Sequence, residues 1–218
     1  MKTLVERYAL PPAEIEQRSL AYVEAVLRDR FADAGERLVA GRICYAAGDL
    51  ALADAIRFSP GAVAAGVAAL SAGAALFVDV RMVAAGLDRA RQLALGCELL
   101  CAIDTPEALS RAKASGLPRA VEAVRLLAPQ LDGAVCVIGN APTALLALLD
   151  LCDQDSVRPA LVIGMPVGFV AAAESKDELM ARGLPFVTIT GARGGSPLAA
   201  AATNALLRLA SAAPGAQP

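Results

Sequence analysis

The chain has 218 residues, 56% of them hydrophobic, with 20 basic side chains against 22 acidic ones and a net charge of −2. A length of this order suits a single α/β core, and a near-neutral balance without a Lys/Arg run argues against nucleic acid as a partner. Histidine is absent altogether, which excludes imidazole chemistry and, with no clustered cysteine pairs, argues against a zinc site.

Met1-Lys2-Thr3-Leu4 is followed by Glu6 and Arg7 rather than by an apolar run, so no secretory leader is expected. Pro11 and Pro12 precede a helix predicted over about 13–27, with Glu14 and Glu16 in its first turn, where carboxylates suit the helix dipole. A second helix is expected over about 34–47, stopped by Gly48, and a short one around 49–56. Ser59-Pro60 reads as an N-cap and first-turn proline opening the next helix. The nearly uncharged stretch 59–78 is punctuated by Pro60, Gly61, Gly66 and Gly73. It reads as helix, turn and strand, since a membrane span needs about 20 unbroken apolar residues.

Strands are predicted over 75–80, 97–103, 134–139, 160–164 and 185–190, and helices over 82–86, 106–115, 118–128, 141–152, 175–182 and 197–210. This alternation implies a single-domain, Rossmann-like α/β fold over 1–211, with a mostly parallel sheet and helices on both faces. Residues 212–218 are small, contain Pro and Gly, and are expected to form a disordered tail. The five cysteines are odd in number and lie mostly inside apolar runs, which suits reduced thiols in a cytoplasmic protein.

Chemistry concentrates where the last three strands meet their helices, and ligands of open α/β sheets bind at such strand ends. GNAPTALL at 139–146 puts Asn140 at a strand end and Thr143 one turn on. The pair offers polar groups to a ligand or serves only to begin the helix. In GMPVGFVAAAESKDEL at 164–179, Ser175 and Glu178 form a capping-box pattern, and Lys176 stands as a cation where the dipole disfavours one. In TGARGGS at 190–196, Gly191, Gly194 and Gly195 permit close backbone approach. Arg193 there adds a fixed charge, and Ser196 can cap a helix opening at Pro197. The pattern is not a dinucleotide fingerprint.

In order and content these blocks resemble the precorrin-8X methylmutase family, also called cobalt-precorrin-8 methylmutase. Ile15-Glu16-Gln17-Arg18-Ser19, Arg57-Phe58-Ser59-Pro60, the run 79–86 and Pro118-Arg119 extend the likeness over residues 13–208. The resemblance implies an isomerase of cobalamin biosynthesis that needs no metal or other cofactor, works as a homodimer, and moves a methyl group from C11 to C12 of a corrinoid precursor. It implies an acidic tetrapyrrole substrate held near the subunit interface. Arg18, Ser19, Arg42, Arg119, Lys176 and Arg193 are the matching candidates for its carboxylates, with Asn140, Thr143, Ser175, Gly194, Gly195 and Ser196 beside them. No membrane partner is implied.

One position departs from the family pattern. The family carries R-x-x-H with the histidine as proton donor, whereas this chain reads Arg42-Ile43-Cys44-Tyr45. Tyr45 is then the candidate acid. An unperturbed phenol titrates about 3.5 units above imidazole, a deficit of about 5 kcal/mol in proton-donating drive. Three readings follow: a tyrosine-dependent methylmutase, a non-catalytic relative that binds corrinoids or other tetrapyrroles, or a pocket turned to another rearrangement. A Tyr45 buried away from any cleft would favour the second.

Overall fold

The computed structural model describes residues 3–9, 11–154 and 157–212. Helices α1 (Leu4–Tyr8), α2 (Pro12–Leu27) and α3 (Ala34–Ala47) lead through a 3-10 turn (Leu50–Ala55) to strand β1 (Ile56–Phe58). Then follow α4 (Ala62–Ser71), β2 (Leu76–Val78), α5 (Arg81–Gly86), α6 (Arg89–Ala94), β3 (Leu99–Leu100), α7 (Pro106–Ser115) and α8 (Arg119–Leu127). The chain ends in β4 (Val135–Ile138), α9 (Pro142–Asp153), β5 (Leu161–Gly164), α10 (Ala172–Ala181), β6 (Phe186–Ile189) and α11 (Ser196–Ala212). Residues 213–218, most of the expected tail, lie outside the described residues.

The six strands form one sheet in the order β1-β6-β5-β4-β2-β3, parallel throughout except for β1 against β6. Both faces are covered, and the side-chain alternation of a strand divides the core in two. Leu76, Val78, Val135, Val137, Leu161, Ile163 and Val187 join the core under α3, α4 and α11. Phe77, Cys136, Ile138, Val162 and Phe186 join the core under α8, α9 and α10. That two-sided burial is why the strands read as continuous apolar runs rather than as alternating ones. The stretch 59–78 is the expected helix, turn and strand, and among the described residues no helix is long and apolar enough to cross a membrane.

Four local expectations need correction. Ser59-Pro60 does not open α4: Gly61, in the left-handed region at φ 74°, is its N-cap. Ser59 is buried and extends the β1–β6 pairing, its N–H donating to the Phe186 carbonyl at 3.0 Å and its hydroxyl accepting from the Phe186 N–H at 2.8 Å. The helix expected around 49–56 is a 3-10 turn followed by the edge strand β1, which is too short to show a period. Ser175 does not cap α10, because the alanines before it extend the helix to Ala172, with Ala171 as N-cap at φ 60°. Its hydroxyl instead donates to the Ala172 carbonyl at 3.1 Å. Ser196 similarly lies within α11, and the Gly195 carbonyl accepts the first helical N–H groups, from Leu198 and Ala199.

Candidate active site

The strand order reverses direction between β2 and β4, and the crevice there is where such sheets hold ligands. Asp79, just past β2, fills the back of it. Its carboxylate accepts the N–H groups of Gly139 at 2.9 Å, Asn140 at 2.8 Å and Ala141 at 2.8 Å. Burial pushes the carboxyl above its ordinary range, with the three N–H donors pulling against that shift. The amides at the head of α9 are thereby occupied from within the protein. Asn140 keeps an exposed side chain at this edge, and Thr143 is half-buried one turn into α9.

The loops after β5 and β6 are pressed together beside this crevice. The N–H of Gly195 donates to the Met165 carbonyl at 2.9 Å and that of Gly168 to the Ala192 carbonyl at 3.2 Å. A Cβ on Gly194 would stand 2.4 Å from the Met165 oxygen and 2.6 Å from the Pro166 oxygen, so only glycine fits there. Lys176 reaches between the loops and is fully buried. Its ammonium donates to the carbonyls of Pro166 at 3.1 Å and Arg193 at 2.8 Å, and burial lowers its pKa to about 8. This takes Lys176 away from solvent and commits its ammonium to backbone carbonyls, whereas the resemblance made it a candidate for a substrate carboxylate. The Arg193 side chain turns outward and pairs with Asp49 at 3.2 Å.

A cleft of about 410 Å³ opens between α3, the start of α6 and α11. Val39, Ala40, Ile43 and Cys44 turn the other side of α3 into the core. Residues three and four apart share a helix face, so Arg42, Tyr45 and Ala46 together form one wall of the cleft. Tyr45 is half-exposed there rather than buried in the core, the opposite of what a mere packing role requires. Ala201, Asn204, Ala205 and Arg208 of α11 form the facing wall. Asn204 fixes the third side: its amide donates to the Gly86 carbonyl at 2.8 Å, and its oxygen accepts the Asp88 N–H at 2.7 Å. Asp88 caps α6 by accepting the Arg91 N–H at 3.1 Å and also pairs with the Arg91 guanidinium. These bonds, the backbone one foremost, hold its carboxyl below the usual range.

The remaining candidates lie elsewhere. Arg18 pairs with Glu14 at 2.5 Å on the exposed side of α2, and the Ser19 hydroxyl donates to the Ile15 carbonyl at 2.8 Å. Arg119 begins α8, on the opposite face of the sheet from α3. Within one chain, therefore, Arg42 and Tyr45 share the cleft, while Arg18, Ser19 and Arg119 do not line it. Sequence reasoning missed Asp88, Arg91, Asn204 and Arg208. The one available signal was the spacing of Ala201, Asn204, Ala205 and Arg208, which places two polar side chains on an alanine-lined helix face.

The precorrin-8X methylmutase family model matches residues 14–209. A precorrin-8X methylmutase of Pseudomonas aeruginosa is 48% identical over 77% of this chain and 81% of its own length. A cobalt-precorrin-8 methylmutase of Priestia megaterium is 35% identical over 96% of this chain and 93% of its own. Among solved structures, the precorrin-8x methyl mutase of Thermus thermophilus superposes with a TM-score of 0.80 at 41% identity, covering 90% of this chain and 97% of that one.

Proposed function

The chain belongs to the precorrin-8X methylmutase family, and on that premise we propose that it is an isomerase of cobalamin biosynthesis moving a methyl group from C11 to C12 of precorrin-8X or cobalt-precorrin-8. The product is hydrogenobyrinate or its cobalt counterpart, cobyrinate. Tyr45 gives a proton, or a strong hydrogen bond, to the ring as the methyl group migrates. Arg42, one helical turn away, holds a substrate carboxylate, a geometry that guanidinium matches with two parallel bonds. The observation that carries this reading is the cleft in which Arg42 and Tyr45 share a wall.

The enzyme works as a homodimer in the cytoplasm, and a second copy contributes Arg18, Ser19 or Arg119 to substrate binding. Asn140, Thr143 and the outward Arg193 serve the substrate's periphery, while Ser175, Lys176, Gly194, Gly195 and Ser196 shape the loops around it. Five unpaired thiols suit a reducing compartment.

A single-turnover assay with precorrin-8X, followed by the change in chromophore absorbance, tests the core of this reading. Wild type converts the substrate, and Tyr45→Phe slows conversion by about 10²–10⁴-fold, the usual worth of general acid catalysis. Tight binding without conversion by either protein would instead identify a non-catalytic corrinoid binder. Light scattering on the eluted peak of a sizing column tests the dimer.

A further inference from the structure

Arg208 lies outside the motif blocks of the sequence. It projects from α11 at the boundary of two clefts, the one beside Tyr45 and a neighbouring groove of about 240 Å³ between α2 and α3. Arg42 stands on the same boundary from the α3 side. The neighbouring groove presents Leu20, Val23 and Leu38, a largely apolar lining suited to the body of a macrocycle, together with the charged side chains of Glu24 and Arg37. Ala201 and Ala205, on the α11 face that carries Arg208, keep the wall low and the boundary open.

The charges around this boundary are unequal. Asp88 is neutralised by Arg91, and the Arg37 guanidinium is turned to the carbonyls of Phe31 at 2.7 Å and Ala32 at 2.8 Å. Arg208 is exposed and has no carboxylate partner among the described residues. A guanidinium held at the meeting of a polar cleft and an apolar groove is matched by an anionic group on the rim of a flat apolar ligand. We infer that Arg208 is a specificity-determining residue of this enzyme, receiving a peripheral carboxylate of the corrinoid while the macrocycle spans both clefts. The assignment rests on the proposed methylmutase reading and adds to it a second cationic anchor opposite Arg42.

The test compares wild type, Arg208→Gln, Arg208→Lys and the remote surface control Arg111→Gln. Turnover is measured with precorrin-8X, and binding by absorbance titration with hydrogenobyrinate at low and high salt. Arg208→Gln raises both KM and the product Kd by about 10–100-fold, the worth of one charged hydrogen-bonded contact, and leaves kcat within about threefold. Arg208→Lys recovers part of the loss, because it keeps the charge but not the fork. Added salt weakens wild-type binding more than that of Arg208→Gln. Unchanged KM and Kd in Arg208→Gln, alongside a wild type that turns over, overturns the assignment and leaves the methylmutase reading intact. A fall in kcat with unchanged Kd overturns it equally. A wild type that neither binds nor converts overturns the reading itself and the inference with it.

Discussion

Lys176 donates from a fully buried ammonium to the Arg193 carbonyl at 2.8 Å, joining the loop after β6 to helix α10. Its second bond, to Pro166 at 3.1 Å, brings in the loop after β5. A cation used this way is costly to desolvate, which is why its pKa falls from 10.5 to about 8.

The lowered value has a definite sign in stability. Between pH 8 and pH 10.5 the unfolded lysine holds its proton while the folded one has released it. Unfolding stability attributable to Lys176 therefore rises with pH across that window, by about 3 kcal/mol at most. Urea titrations of wild type and Lys176→Met at several pH values isolate this contribution from other titrating groups. A difference between the two proteins that does not grow from pH 8 to 10.5 would contradict the burial argument.

If Tyr45 is the proton donor, Tyr45→His places a better acid in the same position. The variant turns over faster than wild type near neutral pH, by on the order of 10- to 1000-fold. Its rate then falls as pH rises through about 6.5, where imidazolium is lost, a step wild type lacks. Single-turnover rates from pH 5.5 to 8 decide the matter, and a histidine variant no faster than wild type removes Tyr45 from the donor role.

Asp79→Asn replaces one acceptor oxygen with an NH₂ aimed at backbone N–H groups. At least one of the bonds to Gly139, Asn140 and Ala141 is lost inside the crevice. Stability drops by about 2–3 kcal/mol, the cost of stranded buried donors. Chemical denaturation measures the drop, and a change below about 0.5 kcal/mol would mean that the carboxylate does not fasten the head of α9.

Ala171 is the one described non-glycine residue at positive φ, 60°. Ala171→Gly relieves a left-handed strain of about 1–2 kcal/mol against a loss of roughly 0.5–1 kcal/mol through the freer unfolded chain. The net expectation is a gain of about 0.5–1 kcal/mol, read as a higher denaturation midpoint at unchanged slope.

Much of the fold was legible because local signals agreed with tertiary demands. The span 34–47 ends at a glycine that does adopt the left-handed cap, and 106–115 begins after a threonine that does cap it. Strand β1 was hidden because three residues carry no period, and its pairing is completed by the Ser59 hydroxyl, which resembles a helix cap in sequence. Helix α6 was missed for a similar reason: it is only six residues long and follows α5 almost directly. At the site, Arg42 was legible because it matches a family pattern, and Tyr45 because it stands on the same helix where that pattern has a histidine. Asp88, Arg91, Asn204 and Arg208 become neighbours only when α11 packs against α3 and holds the 86–88 turn, a juxtaposition that sequence spacing does not encode.

The seam between the loops after β5 and β6 has a consequence for how this protein can change over time. At Gly194 two stretches of main chain meet with no room for any side chain, so that position has no conservative replacement and no gradual route to one. Phe169 and Val170, a few residues past Pro166 in the loop after β5, are almost wholly exposed and touch little that would constrain them. Mutational tolerance should therefore pass from nearly none at Gly194 to nearly complete at Phe169 and Val170, and variation in the outer surface of the loop after β5 can accumulate without loosening the seam beneath it.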